Sequence, residues 1–129
     1  DGSNPAANTR DGDMTTFFAS DGGDGSGEAW IQYDLFAPTA ISEVNIAFFK
    51  RIPEDVERQA KITVQISEDG VNFTTIFDGL SAQSETITME RFPLKEKTTV
   101  RAIKILGHGN TSEAKGRNIW NSIVEVDWK

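Results

Sequence analysis

The chain has no cysteine and a single histidine among its 129 residues. Without cysteine it can form no disulfide framework, no thiolate metal site and no cysteine nucleophile. The lone His108 lacks the partners of a zinc site or a catalytic triad, and the sequence contains no serine elbow and no phosphate-binding glycine loop. These absences exclude the enzyme classes that a sequence reveals most readily.

Basic residues are also scarce, with 13 Lys and Arg against 20 Asp and Glu and a formal net charge of −7. This balance disfavours nucleic acid as a partner, because duplex binding depends on a basic surface that neutralises phosphates. No stretch approaches the roughly 20 apolar residues of a membrane-spanning helix. The first residues show neither region of an export signal, so we expect any such signal to have been removed or to lie elsewhere. Length and composition fit one domain over residues 1–129.

Alternation of apolar and polar residues dominates the sequence, and no long stretch carries apolar residues at helical spacing. Ile62, Val64 and Ile66, for example, alternate with polar residues, as on a strand with one wet face. Seven such segments are predicted as strands: 30–35, 42–49, 61–67, 72–77, 85–90, 100–106 and 122–128. The pattern indicates an all-β sandwich or barrel.

Turn and loop residues separate these strands. Gly70 lies between the strands 61–67 and 72–77 and predicts a hairpin, which would join the strand 42–49 in a meander. Three segments resist assignment as strands and are expected to be long loops: 19–29, 50–59 and 108–118. Loops on a rigid scaffold are where binding residues concentrate.

Oxygen-bearing side chains cluster near the start of the chain. Asp11, Asp13, Thr15 and Thr16 follow one another closely in a segment with few bases, and hard cations such as Ca²⁺ take carboxylate, carbonyl and hydroxyl oxygens. The spacing is not that of an EF-hand, so a site here needs a further carboxylate, for which Glu125 in the last strand is the natural donor. The alternative is an Asx turn with solvated acids.

Six motifs follow in order along the chain: DGDMTTFF (11–18), WIQYDL (30–35), SEVNIAFFK (42–50), SEDGVNFTTIF (67–77), ILGHGN (105–110) and WNSIVEV (120–126). Together they resemble the discoidin, or coagulation factor V/VIII type C, domain in its bacterial family-32 carbohydrate-binding form. The resemblance implies an eight-stranded antiparallel β-sandwich of jelly-roll type, similar to galactose-binding domains. It also implies a secreted bacterial module that is part of a larger enzyme.

The resemblance further implies a structural calcium ion that ties the first turn to the last strand. Its ligands would be the following groups: the Asn8 carbonyl, Asp11, Asp13, the Thr16 hydroxyl and carbonyl, the Val124 carbonyl, and Glu125. One departure is Phe17-Phe18, where many relatives place Arg-Trp. A ligand contact that relatives make at that edge is therefore not assumed here.

Sugar recognition needs planar hydrogen-bonding groups and an aromatic face, and a carboxylated sugar adds a demand for Arg or Lys. The second and third long loops supply such groups, and Arg58 falls where relatives place an arginine. The expected carbohydrate-binding residues are Lys50, Arg51, Arg58, His108, Asn110, Arg117 and Trp120, with Lys115 and Asn118 beside them. The alternatives are that the arginines and lysines are ordinary solvated surface cations, that Trp120 belongs to the core, and that His108 serves only as a turn residue. Three other aromatic residues are assigned to the core or its rim: Trp30, Tyr33 and Trp128.

The GHGN and WNS segments resemble modules attached to lyases that act on alginate-type uronates. We therefore expect a monomeric, non-catalytic carbohydrate-binding module that tethers a catalytic domain to an acidic algal polysaccharide, with no membrane or nucleic-acid partner. One alternative is binding of galactose or N-acetylgalactosamine-type glycans. A second is cell-surface or phospholipid adhesion, although Ile52 and Val56 are the few apolar residues of the loops. A third is an enzyme using Glu54 and Asp55, which have nothing in the sequence to raise a pKa.

Overall fold

Antiparallel strands carry most of the chain in the computed structural model, which describes residues 5–52, 54–112 and 116–129. A short 3₁₀ helix, Ala6–Arg10, precedes the first strand. Six strands follow within these ranges: β1 (Phe18–Ser20), β2 (Ala29–Phe48), β3 (Ala60–Ser67), β4 (Thr74–Leu80), β5 (Glu90–Asn110) and β6 (Asn121–Trp128). No helix within these ranges has the length and apolar character needed to cross a membrane.

The strands are ordered β1-β6-β2-β5-β3-β4, and each neighbouring pair is antiparallel. β2 and β5 are the longest, with 20 and 21 residues, and they pair with each other through two register shifts, one between Asp34 and Thr39 and one between Ile41 and Glu43. The late half of β2 also pairs with β6, whereas the late half of β5 pairs with β3. The two long strands therefore run through both layers of a sandwich.

The predicted antiparallel β-sandwich is confirmed, with six strands in the described residues where eight were expected. The predicted strands 30–35 and 42–49 are the two halves of β2, because the irregularity between them bends the strand without ending it. The predicted hairpin is the pair β3–β4. The predicted meander is wrong, since β5 lies between β2 and β3.

The predicted strand 85–90 is also wrong, because only its last residue, Glu90, belongs to a strand. The preceding stretch instead bonds to itself and to a loop, with Ser84 Oγ donating to the Thr86 carbonyl and the Ser84 carbonyl accepting from Lys50 Nζ. β-Branched residues form a strand only where a partner strand is available.

The core lies between the two layers and draws on β2, β3, β5 and β6. Its buried members are Ile31, Ile41, Val44, Ile46, Ile62, Val64, Ile66, Phe92, Val100, Ile103, Ile105, Ile123 and Val126. Phe92 joins the layers, with its ring 4.8 Å from that of Phe77 and 6.4 Å from that of Phe48. Tyr33 and Trp128 pack at the rim, as predicted. Trp30 does not, since it is 62% exposed.

Side chains near the two ends of the described chain hold the 3₁₀ helix against β6. The Arg10 guanidinium lies 4.2 Å from the centre of the Trp128 ring and donates to the Val126 carbonyl at 2.7 Å. The buried Thr9 hydroxyl shares a 2.6 Å hydrogen bond with the Tyr33 hydroxyl. Burial raises the pKa of Tyr33 to about 12, so this hydroxyl stays protonated.

Candidate functional site

A buried carboxylate organises the loop between β2 and β3. The Asp55 amide donates to the Arg51 carbonyl at 2.6 Å, and the Arg58 amide donates to the Asp55 carbonyl at 2.9 Å. The Asp55 side chain turns inward and accepts a further bond from the Arg51 amide at 3.4 Å. The loop is therefore coiled around Asp55, which is 7% exposed.

Asp55 also pairs with two arginines from different loops. Its Oδ2 lies 3.7 Å from Arg58 Nη1, and its Oδ1 lies 3.5 Å from Arg117 Nη1. The Arg58 side chain is 9% exposed, whereas that of Arg117 is 39% exposed. One carboxylate thus connects the β2–β3 loop to the β5–β6 loop.

Positive charge is concentrated around this carboxylate. Burial lowers the pKa of Arg58, and the neighbouring guanidiniums of Arg117 and Arg51 lower it further, while Asp55 opposes them. Arginine remains ionised in spite of such shifts. Three guanidiniums therefore lie around one buried carboxylate.

A cavity of about 250 Å³ opens beside the arginines. Phe17 and Phe49 form its aromatic wall, with their rings stacked at 4.2 Å and 14°. Its lining residues are Phe17, Ala19, Phe49, Arg51, Arg58, Arg117, Trp120 and Ser122. A cationic wall facing an aromatic one suits a ligand that has both an anionic group and an apolar ring face. We call this space the arginine cavity.

A larger cavity of about 640 Å³ shares Arg58 and Arg117 with the arginine cavity. Its remaining lining is polar or acidic apart from Val56: Glu54, Asp55, Glu57, Gln59, Gln83, Thr111 and Ser112. Asp55 lines this larger cavity and not the smaller one. The two arginines therefore separate an acidic space from an aromatic one.

Asn110 shapes the loop that carries Arg117 and Trp120. It is buried, and its Nδ2 donates to the carbonyls of both Arg117 and Trp120 at 2.8 Å. Its Oδ1 accepts from the Ser112 amide, also at 2.8 Å. A buried side chain with all these groups bonded holds the loop and has no polar group left for a ligand.

The structure brings together Arg51, Arg58, Arg117 and Trp120 of the expected sugar-binding residues. It places Lys50 outside the arginine cavity, where the buried ammonium donates to the carbonyls of Ser84 at 2.9 Å and Val56 at 3.4 Å. The Asn118 carbonyl accepts from the Asn110 amide at 2.8 Å. Lys115 lies outside the described residues.

His108 also lies apart from the arginine cavity, on the outer face of β5. Its Nδ1 is 2.5 Å from Glu28 Oε2, and its Nε2 is 2.9 Å from the Thr63 hydroxyl. Both ring nitrogens are thus paired, one with the residue before β2 and one with β3. This polar network lies outside the arginine cavity.

Sequence reasoning missed Asp55 and Phe17 as members of this site. Asp55 stands in a charged loop and reads as a solvated acid, so no pattern in the sequence reveals that it is buried. Phe17 carried a signal, because it replaces an arginine that relatives place at this edge. That substitution suggested a lost contact, whereas the ring forms part of the cavity wall.

The oxygen-rich turn near the start of the chain contacts the last strand. The Thr16 hydroxyl donates to Asp11 Oδ2 at 2.5 Å and also lies 3.1 Å from the Asp13 carbonyl and 3.5 Å from the Asn8 carbonyl. One hydroxyl proton cannot serve three acceptors at once. One hydroxyl therefore lies among several acceptor oxygens, and carboxylate, carbonyl and hydroxyl oxygens are the ligands that a hard cation prefers.

Glu125 and Val124 approach the same turn from β6. Glu125 Oε1 accepts from the Gly12 amide at 3.3 Å. Partial burial, together with the nearby Asp11 carboxylate, raises the pKa of Glu125, while the Gly12 amide and Arg10 oppose the rise. The β2–β6 register passes from Ala47–Glu125 to Phe48–Ile123 and leaves Val124 at a bulge. A carbonyl at a bulge is free of the regular ladder.

Other features of the turn are those of a simple Asx arrangement, the alternative for this segment. Asp11 Oδ1 accepts from the Asp13 amide at 2.9 Å, and Asp13 Oδ1 accepts from the amide and hydroxyl of Thr15 at 2.9 and 2.6 Å. Within the ranges that the structure describes, no group of three or more His, Cys, Asp or Glu side chains is arranged to hold a metal. A cation here would depend on carbonyl and hydroxyl oxygens as well as carboxylates.

Comparison with known proteins bears on the whole chain. The model of the F5/8 type C domain family matches residues 1–126. A search of curated proteins found no match. One similar solved structure is described as the CBM32 of AlyQ in complex with 4,5-unsaturated mannuronic acid. It is 28% identical, with a TM-score of 0.80 over 100% of this chain and 88% of that one.

Two further structures are similar at comparable identity. Truncated AlyQ with CBM32 and alginate lyase domains is 28% identical, with a TM-score of 0.76, and the match covers 95% of this chain and 28% of that one. A pectin-binding carbohydrate-binding module is 29% identical, with a TM-score of 0.75 over 95% of this chain and 78% of that one. The chain therefore has the fold of a carbohydrate-binding module.

Proposed function

The chain belongs to the F5/8 type C domain family, and from this we propose that it is a non-catalytic module that binds a uronate-containing polysaccharide, with alginate as the first choice. The observation that carries the proposal is the arginine cavity, whose lining combines Arg58 and Arg117 with the stacked rings of Phe17 and Phe49. The sugar carboxylate would accept charge-assisted hydrogen bonds from the guanidiniums. The apolar face of the sugar ring would lie against the aromatic wall.

The comparisons support a carboxylated sugar as the ligand. The AlyQ module is described with a mannuronic acid, and its parent carries an alginate lyase domain. The proposed site keeps Arg51, Arg58, Arg117 and Trp120 from the sequence expectation and adds Phe17, Phe49 and Ser122. It leaves out Lys50, His108 and Asn110, whose polar groups bond within the protein.

The biological work of such a module is tethering. Holding a catalytic domain beside its substrate raises the effective concentration of that substrate, which even a weak contact achieves. We propose that the parent protein is a secreted bacterial polysaccharide lyase or glycoside hydrolase. The module would work as a monomer, since each chain contains a complete cavity.

We also propose a structural Ca²⁺ at the oxygen-rich turn. The groups that would hold it are the Asn8, Thr16 and Val124 carbonyls, the Thr16 hydroxyl, and the carboxylates of Asp11, Asp13 and Glu125. The convergence of acceptors on the Thr16 hydroxyl and the raised pKa of Glu125 support this assignment. The ion would offset the negative charge of these three carboxylates, which Arg10 opposes only in part.

Calorimetric titration of the intact chain with mannuronic acid and with mannose tests the proposed function. We expect mannuronic acid to bind more tightly, and Arg117→Gln to weaken it about 10- to 100-fold, because a hydrogen bond to a charged group contributes about 1.5–3 kcal/mol. Mannose binding should change little. Arg91→Gln, an exposed arginine paired with Glu43, is the matched control.

Equal affinity for the two sugars, unaffected by Arg117→Gln, would contradict a uronate site. Preference for galactose or N-acetylgalactosamine would support the neutral-glycan alternative. Pelleting of the chain with anionic liposomes, without sugar binding, would support the adhesion alternative.

A further inference from the structure

Asp55 forms ion pairs with Arg58 and Arg117 from outside the cavity proposed for the sugar. It lines the larger acidic cavity together with Arg58 and Arg117, and only the two arginines continue into the arginine cavity. The two terminal nitrogens of Arg58 have partners in different cavities. Its Nη1 faces Asp55 at 3.7 Å, while its Nη2 donates at 3.4 Å to the hydroxyl of Ser122, which lines the arginine cavity.

We propose that Asp55 is the positioning residue that makes this module selective for carboxylated over neutral sugars. The inference rests on the proposed function and concerns how its site discriminates. Asp55 holds Arg58 and Arg117 as a pair and directs their remaining N–H groups into the arginine cavity. The carboxylate of the sugar then acts as a second anion, on N–H groups of the same two guanidiniums that Asp55 does not use.

Two neighbouring guanidinium charges repel each other, and a shared anion offsets this repulsion. Arg117 and Arg51 both disfavour the charge of Arg58, whereas Asp55 favours it. Arg117 is half-exposed, and a long side chain with many rotamers would turn outward into water if nothing held it. Asp55 thus removes the conformational cost that a ligand would otherwise meet when it draws the two arginines together.

The same carboxylate decides which cavity an anionic ligand enters. Asp55, Glu54 and Glu57 all line the larger cavity, so a sugar carboxylate placed there would lie among like charges. The arginine cavity has no acidic residue in its lining. Electrostatics therefore favours the smaller, aromatic space for the uronate.

Asp55→Asn tests this role, because it removes the charge and keeps the shape. We expect the variant to bind mannuronic acid about 10-fold more weakly, while mannose binding changes less than about 2-fold, since close charged pairs couple measurably. Glu96→Gln, a charge removal at an exposed position that lines neither cavity, is the matched control. Asp55→Glu keeps the charge and should retain more of the preference than Asp55→Asn.

A double-mutant cycle separates positioning from general loss of structure. If Asp55 acts through the arginines, Asp55→Asn should cost far less affinity in the Arg117→Gln background than in the wild type. A merely structural role predicts additive losses and an equal fall in mannose binding. Either of those results would overturn the inference.

Arginine side-chain NMR of the wild type keeps the inference testable if Asp55→Asn does not fold. We expect the Nε–H signals of Arg58 and Arg117 to be ordered in the free protein and to shift with mannuronic acid but not with mannose. Disordered signals, or equal shifts with both sugars, would overturn the inference.

If the wild type shows no preference for mannuronic acid, the proposed function itself fails. If it shows the preference and Asp55→Asn keeps it, only the inference fails.

Discussion

Glu125 is a carboxylate whose folded surroundings disfavour its charge. Partial burial and the neighbouring Asp11 raise its pKa above the unfolded value, so the folded state holds the proton more tightly than the unfolded chain. The stability contributed by this group is therefore lost as pH rises through the folded pKa. At neutral pH, without a cation, ionised Glu125 costs stability.

Glu125→Gln should accordingly have opposite effects with and without calcium. Without calcium, we expect the variant to melt at a slightly higher temperature than the wild type at pH 7. With calcium at 100 times its Kd, the wild type should gain about 2.7 kcal/mol, or about 10 °C in Tm, and the variant much less. Differential scanning calorimetry with chelator and with calcium measures both effects. Glu96→Gln is the control, and an equal calcium response in both variants would count against the proposed ligand.

Residue identities alone indicated the arginines but not the acid that holds them. A loop arginine in a sugar-binding resemblance attracts attention because of its chemistry. Asp55 shows no such signal, because its burial depends on a second loop that meets it only in the folded chain. The prediction that Trp30 belongs to the core or its rim was wrong. It relied on the residue type alone, since a tryptophan in a strand usually points inward. Here Ile31 and Tyr33 take the inward positions and alternation turns Trp30 outward.

The β3–β4 hairpin depends on one turn residue, Asp69. Its carboxylate accepts hydrogen bonds from the amides of Val71 and Asn72, the Asn72 side chain and the Ser67 hydroxyl, at 2.7–3.0 Å. These bonds hold the pKa of Asp69 well below its ordinary value of 3.8. The stability they contribute is present above that value and is lost progressively as pH falls below about 4.

Asp69→Ala should therefore lower the Tm at pH 7, and its difference from the wild type should narrow as the pH falls below about 4. Glu68→Ala, at the adjacent position, should change the Tm little at any pH. Thermal melts monitored by circular dichroism across this range compare the two. A difference between Asp69→Ala and the wild type that stays constant with pH would mean that the charge of Asp69 does not matter.

Element types could be predicted from alternation, but lengths and partners could not. The segment 36–41 contains a proline and interrupts the alternation of apolar and polar residues, which is why two strands were expected where β2 is continuous. Conversely, 85–90 has β-branched residues but no neighbouring strand to pair with. In both cases the deciding contacts come from chain segments far away in the sequence.

The ends of the described chain are joined by contacts that need no metal. Arg10 packs on Trp128 and donates to the Val126 carbonyl, and Thr9 bonds to Tyr33. These contacts lie at the end of β6 opposite to Ser122, which lines the arginine cavity. Loss of these end-to-end contacts should therefore lower stability without changing sugar affinity.

Arg10→Ala should destabilise the fold by about 1–2 kcal/mol through the lost cation–π contact and charge-assisted hydrogen bond. Mannuronic acid affinity should be unchanged. Urea unfolding and calorimetric titration measure the two quantities. Arg91→Ala, which breaks an exposed ion pair with Glu43, should cost less than about 1 kcal/mol. A loss of sugar affinity in Arg10→Ala would show that the end-to-end contacts and the arginine cavity are coupled.

The pairing of β2 with β5 also means that β2 is synthesised well before its partner strand is available. β2 ends at Phe48, and its principal partner is complete only at Asn110, about 60 residues later. At a translation rate of about 5–20 residues per second, that interval is roughly 3–12 s. Throughout it, a nascent chain exposes a long unpaired edge with several isoleucines and phenylalanines, which is the kind of segment that ribosome-associated chaperones shield from aggregation.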